Sequence, residues 1–600
     1  MNNGQTVWPN LVTMFFSQAE AKGDKPFLWA KTNGSYEPMT WREAADHVVR
    51  LARGLRALGV GLGDRVVIVS ENRPEWLIAD VAIMATGAIT VPAYITNTEA
   101  DHLHVLDNSG AKVAIVSTQK LARALIPAAH RATDMKVVVT MEPADISQSL
   151  SIDLHGWSDI VARGEKEESG FDVVAGAANM RRSDTACIIY TSGTGGAPKG
   201  VMLHHGALLH NCEGAEDVLS KLGLGNDVFL SFLPLSHSYE HTAGQFFPIF
   251  LGAQIYYAES VDLLVKNMAE ARPTLILAVP RLYEMIQNRM LHGVRKAGGL
   301  QEKMFMAAAN LGLERLANGG TLLLHKWLLD RLLERLVRRK VRNRFGGRLK
   351  AFVSGGGPLN PEVGNFLTAL GVRILQGYGQ TECGPVFGVN CPEKVKMDKV
   401  GPPLKNTEVR IAEDGEILLR GELVMQGYWR AQDLTAETVK DGWLHTGDVG
   451  CLDEDNYLQI TDRKKDIIVN SGGDNISPQR IEGMLTLEPE IAQAMVYGDR
   501  RPHLVGLLVP DADWMRQWAE ERNVSDQLEV LAGDKEFHKA LAEAVRRVNQ
   551  HLSGIERVRR FMIAPEPFTI ENEQMTPTLK VRRHKIREVY GDALNALYGQ

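Results

Sequence analysis

Residues 65–70 read RVVIVS, an apolar, β-branched run without the in–out alternation of a sheet that has one wet face. Such a run predicts a strand buried on both sides, and that constrains the fold more than any other feature of the chain. What flanks it is helical. Upstream, Thr40 and Glu43 have the spacing of a capping box, and Ala44, Val48, Leu51, Leu55 and Leu58 follow at helical spacing until Gly59 ends the run. Downstream, the pattern predicts a helix over 75–84 and strands at 89–91 and 113–117, and the rhythm resumes at 185–190, 275–278 and 349–354. Strand, helix, strand in that order requires a parallel sheet covered by helices, so the fold class is α/β. At 600 residues the chain is about four times a typical domain, and more than one core is expected.

Composition narrows the function. Lys and Arg number 67 against 73 Asp and Glu, a formal charge of −6, so the basic surplus of a nucleic-acid binder is absent. The cysteines, Cys187, Cys212, Cys383, Cys391 and Cys451, form no CxxC pair and are too few for a disulfide framework. They read as small packers in a reducing, cytoplasmic setting. The first residues lack the basic start of a secretory leader. The most apolar stretch, 246–258 (FFPIFLGAQIYYA), is too short and too interrupted to span a bilayer, and it reads as a core strand.

Two segments depart from the rhythm. Residues 325–350 carry ten Lys and Arg against two acids, with Leu328, Leu329, Leu332, Leu333, Leu336 and Val337 as an apolar stripe. The ordinary expectation is a helix whose leucines pack on the main domain while its arginines face water. The other reading is a basic amphipathic helix that makes peripheral contact with anionic membrane lipid. After Asp462 the chain turns polar (DRKKDIIVNSGGDNISP) before a helix at 479–487 and a strand at 493–497. This predicts a large unit over 1–462, a small α+β unit over 463–600, and a hinge near 462–466.

The chemistry is written in five places. Residues 188–200, IIYTSGTGGAPKG, run from an apolar strand into a Thr/Ser/Gly loop closed by Pro198, Lys199 and Gly200. Glycines let amides point inward, hydroxyls add donors and Lys199 adds a cation, a combination suited to polyphosphate. It is not the common P-loop, in which Ser or Thr follows the lysine. Residues 376–385, QGYGQTECGP, offer Tyr378 to stack on a base, and Thr381 with Glu382 to meet a hard cation such as Mg2+. Residues 353–359, VSGGGPL, end a strand in glycines that let backbone lie against a flat ligand. In 442–450, GWLHTGDVG, Asp448 is placed to hold ribose hydroxyls, with Arg463 to complete the grip. Near the end, 575–580 (MTPTLK) sets one lysine after a rigid turn.

Together, in this order and spacing, these segments resemble the adenylate-forming superfamily of acyl-CoA synthetases, luciferases and peptide-synthetase adenylation domains. The resemblance runs from about residue 10 to residue 590, and FLPLSHSYEHTAG (232–244), SGGDNISP (471–478) and MTPTLKVRR (575–583) make it most similar to bacterial long-chain fatty acid–CoA ligases. It implies a large domain of parallel α/β sheets with a β-rich subdomain, and a small mobile C-terminal domain. Thr191, Ser192, Gly193, Thr194, Gly195 and Lys199 match the phosphate loop. Gly355, Gly356 and Gly357 match the adenine wall, with Tyr378 and Gly379 beside the base. Thr381 matches a nucleotide contact, and Glu382 and Thr191 match the magnesium positions. Asp448 and Arg463 match the ribose contacts, and Lys465 the hinge. His237 matches a residue at the mouth of the acyl site, and Lys580 the adenylation lysine. Two departures stand out: Gly195 occupies a place where relatives usually carry Thr or Ser, and Asn475 one where some carry Trp.

The resemblance implies ATP, Mg2+, CoA and a fatty acid as the molecules bound, no nucleic acid, and a homodimer as a further option. Its alternatives are a ligase for another carboxylic acid or for a carrier protein, and a non-catalytic nucleotide-binding homologue.

Overall fold

The computed structural model describes residues 7–144, 151–167, 170–191, 197–472, 474–576 and 581–599. The run at 65–70 forms the strand Arg65–Val69, buried at all positions but the first. It pairs in parallel with Ile89–Pro92 and with Val113–Val116. Val137–Thr140 and Asp153–Gly156 extend the sheet one way, and Thr185–Thr191 joins beyond Ile89–Pro92. There Lys199–His204 turns back antiparallel to Thr185–Thr191, and the short Gly427–Tyr428 completes eight strands. The helix Trp41–Ala57 begins at the anticipated box: the Thr40 side chain accepts from the Glu43 amide while the Glu43 carboxylate accepts from the Thr40 amide. It buries Trp41, Ala44, Val48, Leu51 and Leu55.

A second eight-stranded sheet has a parallel centre made of Gln254–Tyr257, Val228–Ser231, Leu275–Ala278, Ala351–Ser354 and Ile374–Tyr378. Val228–Ser231 has the next strand in sequence on one side and the one after it on the other. Loops leaving the carboxyl ends of the strands diverge at such a reversal and open a crevice, where open α/β sheets bind ligands. A third, antiparallel sheet holds Glu408–Ile411, Glu416–Arg420, Val439–Lys440, Trp443–Leu452 and Leu458–Arg463. Beyond it, Ile491–Tyr497, Leu504–Pro510 and Val558–Ile563 form a three-stranded sheet, with the helices Pro478–Leu485, Lys535–Asn549 and Arg583–Ala596. Two buried apolar clusters lie wholly within residues 468–594.

Two expectations need correction. Residues 246–258 are not one strand: Pro248 opens the short helix Phe247–Leu251, Gly252 caps it at φ +63, and only Gln254–Tyr257 is strand. In the basic segment, the helices Leu324–Leu333 and Arg339–Arg344 flank a π-turn at Glu334–Arg338. Leu333 and Val337 pack inward as expected, but Leu328, Leu329, Leu332 and Leu336 face outward. The cause is Arg338, whose fully buried guanidinium donates to the Ala308 and Ala369 carbonyls at 2.8 Å and pairs with Asp330 at 2.7 Å. Satisfying that buried cation sets the roll of the segment and turns the leucines away from the core.

All five cysteines are free thiols, and among the described residues no helix is long and apolar enough to cross a membrane.

Candidate active site

The crevice of the second sheet is floored by glycines that packing requires. Gly355 follows the strand Ala351–Ser354, and a Cβ there would lie 2.8 Å from the Tyr239 ring. The Tyr239 hydroxyl donates to the Val353 carbonyl at 2.9 Å, which holds the ring flat behind the chain. Gly356 has φ +80, a region that side chains rarely adopt. Gly379 ends the neighbouring strand, and a Cβ on it would sit 1.8 Å from the Pro385 carbonyl oxygen. No residue but glycine fits that position without moving backbone.

Tyr378, Asp448 and Arg463 meet as one unit. Asp448 and Arg463 face each other across the antiparallel pair Trp443–Leu452 and Leu458–Arg463, and Arg463 Nε lies 3.0 Å from Asp448 Oδ1. The other oxygen, Oδ2, accepts from the Tyr378 hydroxyl at 2.5 Å. Burial, with the Asp448 charge beside it, pushes the Tyr378 phenol well up, so it stays protonated and donates. Asp448 is buried while the Arg463 guanidinium is partly open to the cleft.

A second unit forms where the two large sheets meet. Thr191 and Lys199 are paired residues at the mouth of their hairpin. Lys199 Nζ lies 5.4 Å above the Tyr428 ring, and the Tyr428 hydroxyl donates to Glu382 Oε1 at 2.8 Å. Burial and the adjoining Glu382 carboxylate raise the Tyr428 phenol. Glu382 sits in the 3-10 turn Thr381–Cys383, and the Thr381 hydroxyl is 2.9 Å from that of Ser238. His237, next to Ser238, accepts from the Tyr239 amide at Nδ1 and lines the cleft. Glu240 is buried one turn on, and desolvation pushes its carboxyl up to about 8 against the ordinary 4.5. Ser192, Gly193, Thr194 and Gly195, like Lys580, lie outside the described residues.

The unit around Tyr378 and the unit around Lys199 and Glu382 open onto one cleft of about 2380 Å³. Lys199, His237, Gly355–Gly357, Tyr378, Glu382, Asp448 and Arg463 line one part of it, and Thr576 and Val581, on either side of 577–580, line another. Lys465 also lines it, exposed in the turn after Arg463, while Lys464 pairs with Asp414 and Glu416 at 2.5 and 3.2 Å. Asn475 is exposed at the rim.

Among the described residues no three His, Cys, Asp or Glu side chains group as a metal cage. Glu382 with the Thr191 hydroxyl fits a different kind of cation, Mg2+ bound through one carboxylate and otherwise through phosphate and water. Sequence reasoning missed Tyr239, Ser238 and Tyr428. Each acts through a partner remote in sequence, and no local spacing signals it.

Residues 15–429 match the AMP-binding enzyme family, and residues 465–600 match the AMP-binding enzyme C-terminal domain. A long-chain-fatty-acid–CoA ligase, FadD15, of Mycobacterium bovis is 34% identical over 599 residues, covering 98% of this chain and 97% of that protein. The peroxisomal long chain acyl-CoA synthetase 6 of Arabidopsis thaliana is 31% identical, covering 94% of this chain and 82% of its own length. The crystal structure of the adenylation domain of a carboxylate reductase from Mycobacterium chelonae superposes with a TM-score of 0.76 at 21% identity, covering 100% of this chain and 92% of that one. The A-PCP didomain of a carboxylic acid reductase from Segniliparus rugosus, solved in complex with AMP, gives 0.77 at 20% identity, over 99% and 82% of the two chains. Matched over residues 15–429 and 465–600, with Lys199, the glycine floor and the Asp448–Arg463 pair on one cleft, this chain belongs to the AMP-binding enzyme family.

Proposed function

We propose that the protein activates a long-chain fatty acid with ATP and passes the acyl group to CoA. The observation that carries this is the convergence of four sequence-distant motifs on one cleft, in a chain similar over nearly its whole length to long-chain-fatty-acid–CoA ligases. In the first step a carboxylate oxygen bonds to the α-phosphorus of ATP while the bond to the bridging oxygen breaks and pyrophosphate leaves. In the second, the CoA sulfur bonds to the acyl carbon, the carbon–oxygen bond to AMP breaks, and the thiol proton passes to water.

The residues divide the work. The glycine floor, with Tyr378 alongside, receives adenine, and Asp448 with Arg463 holds the ribose. Lys199 and the loop before it hold the phosphates. Mg2+, when bound with ATP, supplies positive charge to the phosphates, and Glu382 and Thr191 would hold it. His237 stands at the mouth of the acyl site. Lys580 meets the charge that builds as two anions approach; the lining of the cleft by Thr576 and Val581 supports this role. The chain divides into units 1–462 and 463–600, and Lys465 is the hinge that withdraws Lys580 before CoA arrives. The protein works at the edge of a lipid phase, in contact with lipid through 325–350, alone or as a homodimer.

The test is a panel of carboxylates, from acetate to oleate with aryl acids, read as AMP release with and without CoA and as exchange of labelled pyrophosphate into ATP. Long-chain acids are expected to give CoA-dependent AMP release. Exchange with aryl acids alone would transfer the proposal to a different acid, and no exchange with any acid would leave a nucleotide-binding homologue.

A further inference from the structure

Five described tyrosines line the cleft, and four of them have a partner for the hydroxyl: Tyr239 donates to the Val353 carbonyl, Tyr378 to Asp448, Tyr428 to Glu382 and Tyr497 to Asn595. The fifth, Tyr94, is half-buried, and its hydroxyl meets no partner among the described residues. A tyrosine packed into protein normally finds one, so an unused phenol on a cleft wall needs a reason. Its placement is fixed. The strand Ile89–Pro92 ends just before it, the Ala93 amide donates to the Ile68 carbonyl at 2.9 Å, and the Asn97 amide donates to the Tyr94 carbonyl at 3.2 Å. Thr90 is level with Cys187 on the parallel neighbour, so four residues on Tyr94 comes level with Thr191, and Thr191 is paired in turn with Lys199. A phenol, a hydroxyl and an ammonium therefore follow one another along the carboxyl edge of the first sheet, where open α/β sheets bind ligands. Neither the Thr191 hydroxyl nor the Lys199 ammonium has a hydrogen-bond or ion-pair partner among the described residues. Burial alone pushes the Tyr94 phenol up, so it keeps its proton and serves as a donor.

We propose that the Tyr94 hydroxyl donates to an oxygen of the outer phosphates of ATP, the pair that leaves as pyrophosphate. Three unspent donors in a row suit an extended anion, and a bond from a neutral donor to a charged oxygen is among the stronger hydrogen bonds. Their place in the fold separates the phosphate chain from the nucleoside. The glycine floor, Tyr378, Asp448 and Arg463, which receive the nucleoside, belong to the second and third sheets, whereas Tyr94, Thr191 and Lys199 belong to the first. A phenol also suits a leaving group, because it holds the oxygen in direction without giving up its proton. The inference deepens the proposed function by assigning a residue to the departing pyrophosphate, and it rests on that reading for the identity of the nucleotide.

Titration calorimetry of the full chain with ATP and Mg2+, and separately with AMP, tests it. Y94F, which removes one oxygen, is expected to weaken ATP binding roughly tenfold, the loss of one hydrogen bond to a charged group, and to leave AMP binding within about twofold of wild type. In pyrophosphate exchange, KM for pyrophosphate should rise by a similar factor while KM for fatty acid stays where it is. Retained AMP binding also shows that Y94F is folded. Equal ATP affinity in the two proteins overturns the proposal. Equal weakening of ATP and AMP overturns it as well, since the phenol would then serve the nucleoside or the packing. A change confined to KM for fatty acid overturns it in favour of a contact with the acyl carboxylate. The calorimetry needs no turnover. A wild type that binds ATP yet activates no carboxylate therefore fails the proposed function, while the ratio of ATP to AMP affinities still decides the place of Tyr94.

Discussion

At the scale of single residues, the site is a set of electrostatic decisions. Asp448 takes one donor on each oxygen, Tyr378 on Oδ2 and Arg463 on Oδ1, so its buried charge is fully partnered. Lys580 is argued to act on charge that exists only during adenylation. Lys580→Ala is therefore expected to lower pyrophosphate exchange by roughly 10²–10³-fold while CoA transfer from supplied acyl-adenylate survives. Equal loss in both half-reactions would remove Lys580 from that role. Glu240 gives a prediction about stability. Its folded carboxyl keeps its proton up to about pH 8, whereas the unfolded chain releases it near 4.5. The contribution is full below pH 4.5, falls as pH rises, and is gone above 8. Between pH 5 and 9 the wild type should lose ~4 kcal/mol of unfolding free energy that Glu240→Gln keeps, measured by urea denaturation. Parallel curves for the two proteins would show that Glu240 is already ionised in the folded state.

Elements put those residues in place, and here the sequence was legible in some respects and silent in others. The α/β alternation, the capping box at Thr40 and the glycine-rich hairpin could be read because their causes are local: periodicity, a three-residue spacing, the freedom of glycine. The pairing of Tyr428 with Glu382 could not, because it depends on Gly427–Tyr428 adding to the Lys199–His204 edge. Nor could the roll of 324–344. An apolar stripe states that a helix has two faces without stating which turns inward, and Arg338 reads like any surface arginine until its partners are seen. The helix Glu99–Ser109 is a further silent contributor. His104 Nε2 donates to the Pro198 carbonyl at 2.9 Å, and Asn108 receives the Tyr190 hydroxyl at 2.7 Å and the Trp429 indole at 3.0 Å. These bonds brace the hairpin just before Lys199. His104→Ala is expected to raise KM for ATP about three- to tenfold, the loss of about one hydrogen bond, with little change in the maximal rate at saturating ATP. An unaltered KM would mean that the hairpin is braced by Asn108 alone.

At the scale of the whole molecule, the proposed function asks one cleft to serve two reactions in turn, adenylation and transfer to the CoA thiol. The hinge proposed at Lys465 would separate the two steps by a turn of the smaller unit. Lys465 is exposed and lies in the turn that leads out of the third sheet. Lys465→Pro, which fixes that backbone, is expected to leave pyrophosphate exchange within about twofold of wild type and to lower thioester formation by at least about tenfold. Unchanged overall turnover would place the pivot elsewhere. The sealed guanidinium of Arg338 has a consequence on the same scale. Because the helix is riveted from beneath, the side it shows to the surroundings is free of any duty to the interior. Substitutions there leave the anchorage of Arg338 to Ala308, Ala369 and Asp330 intact, so that face can change in sequence without unseating the helix.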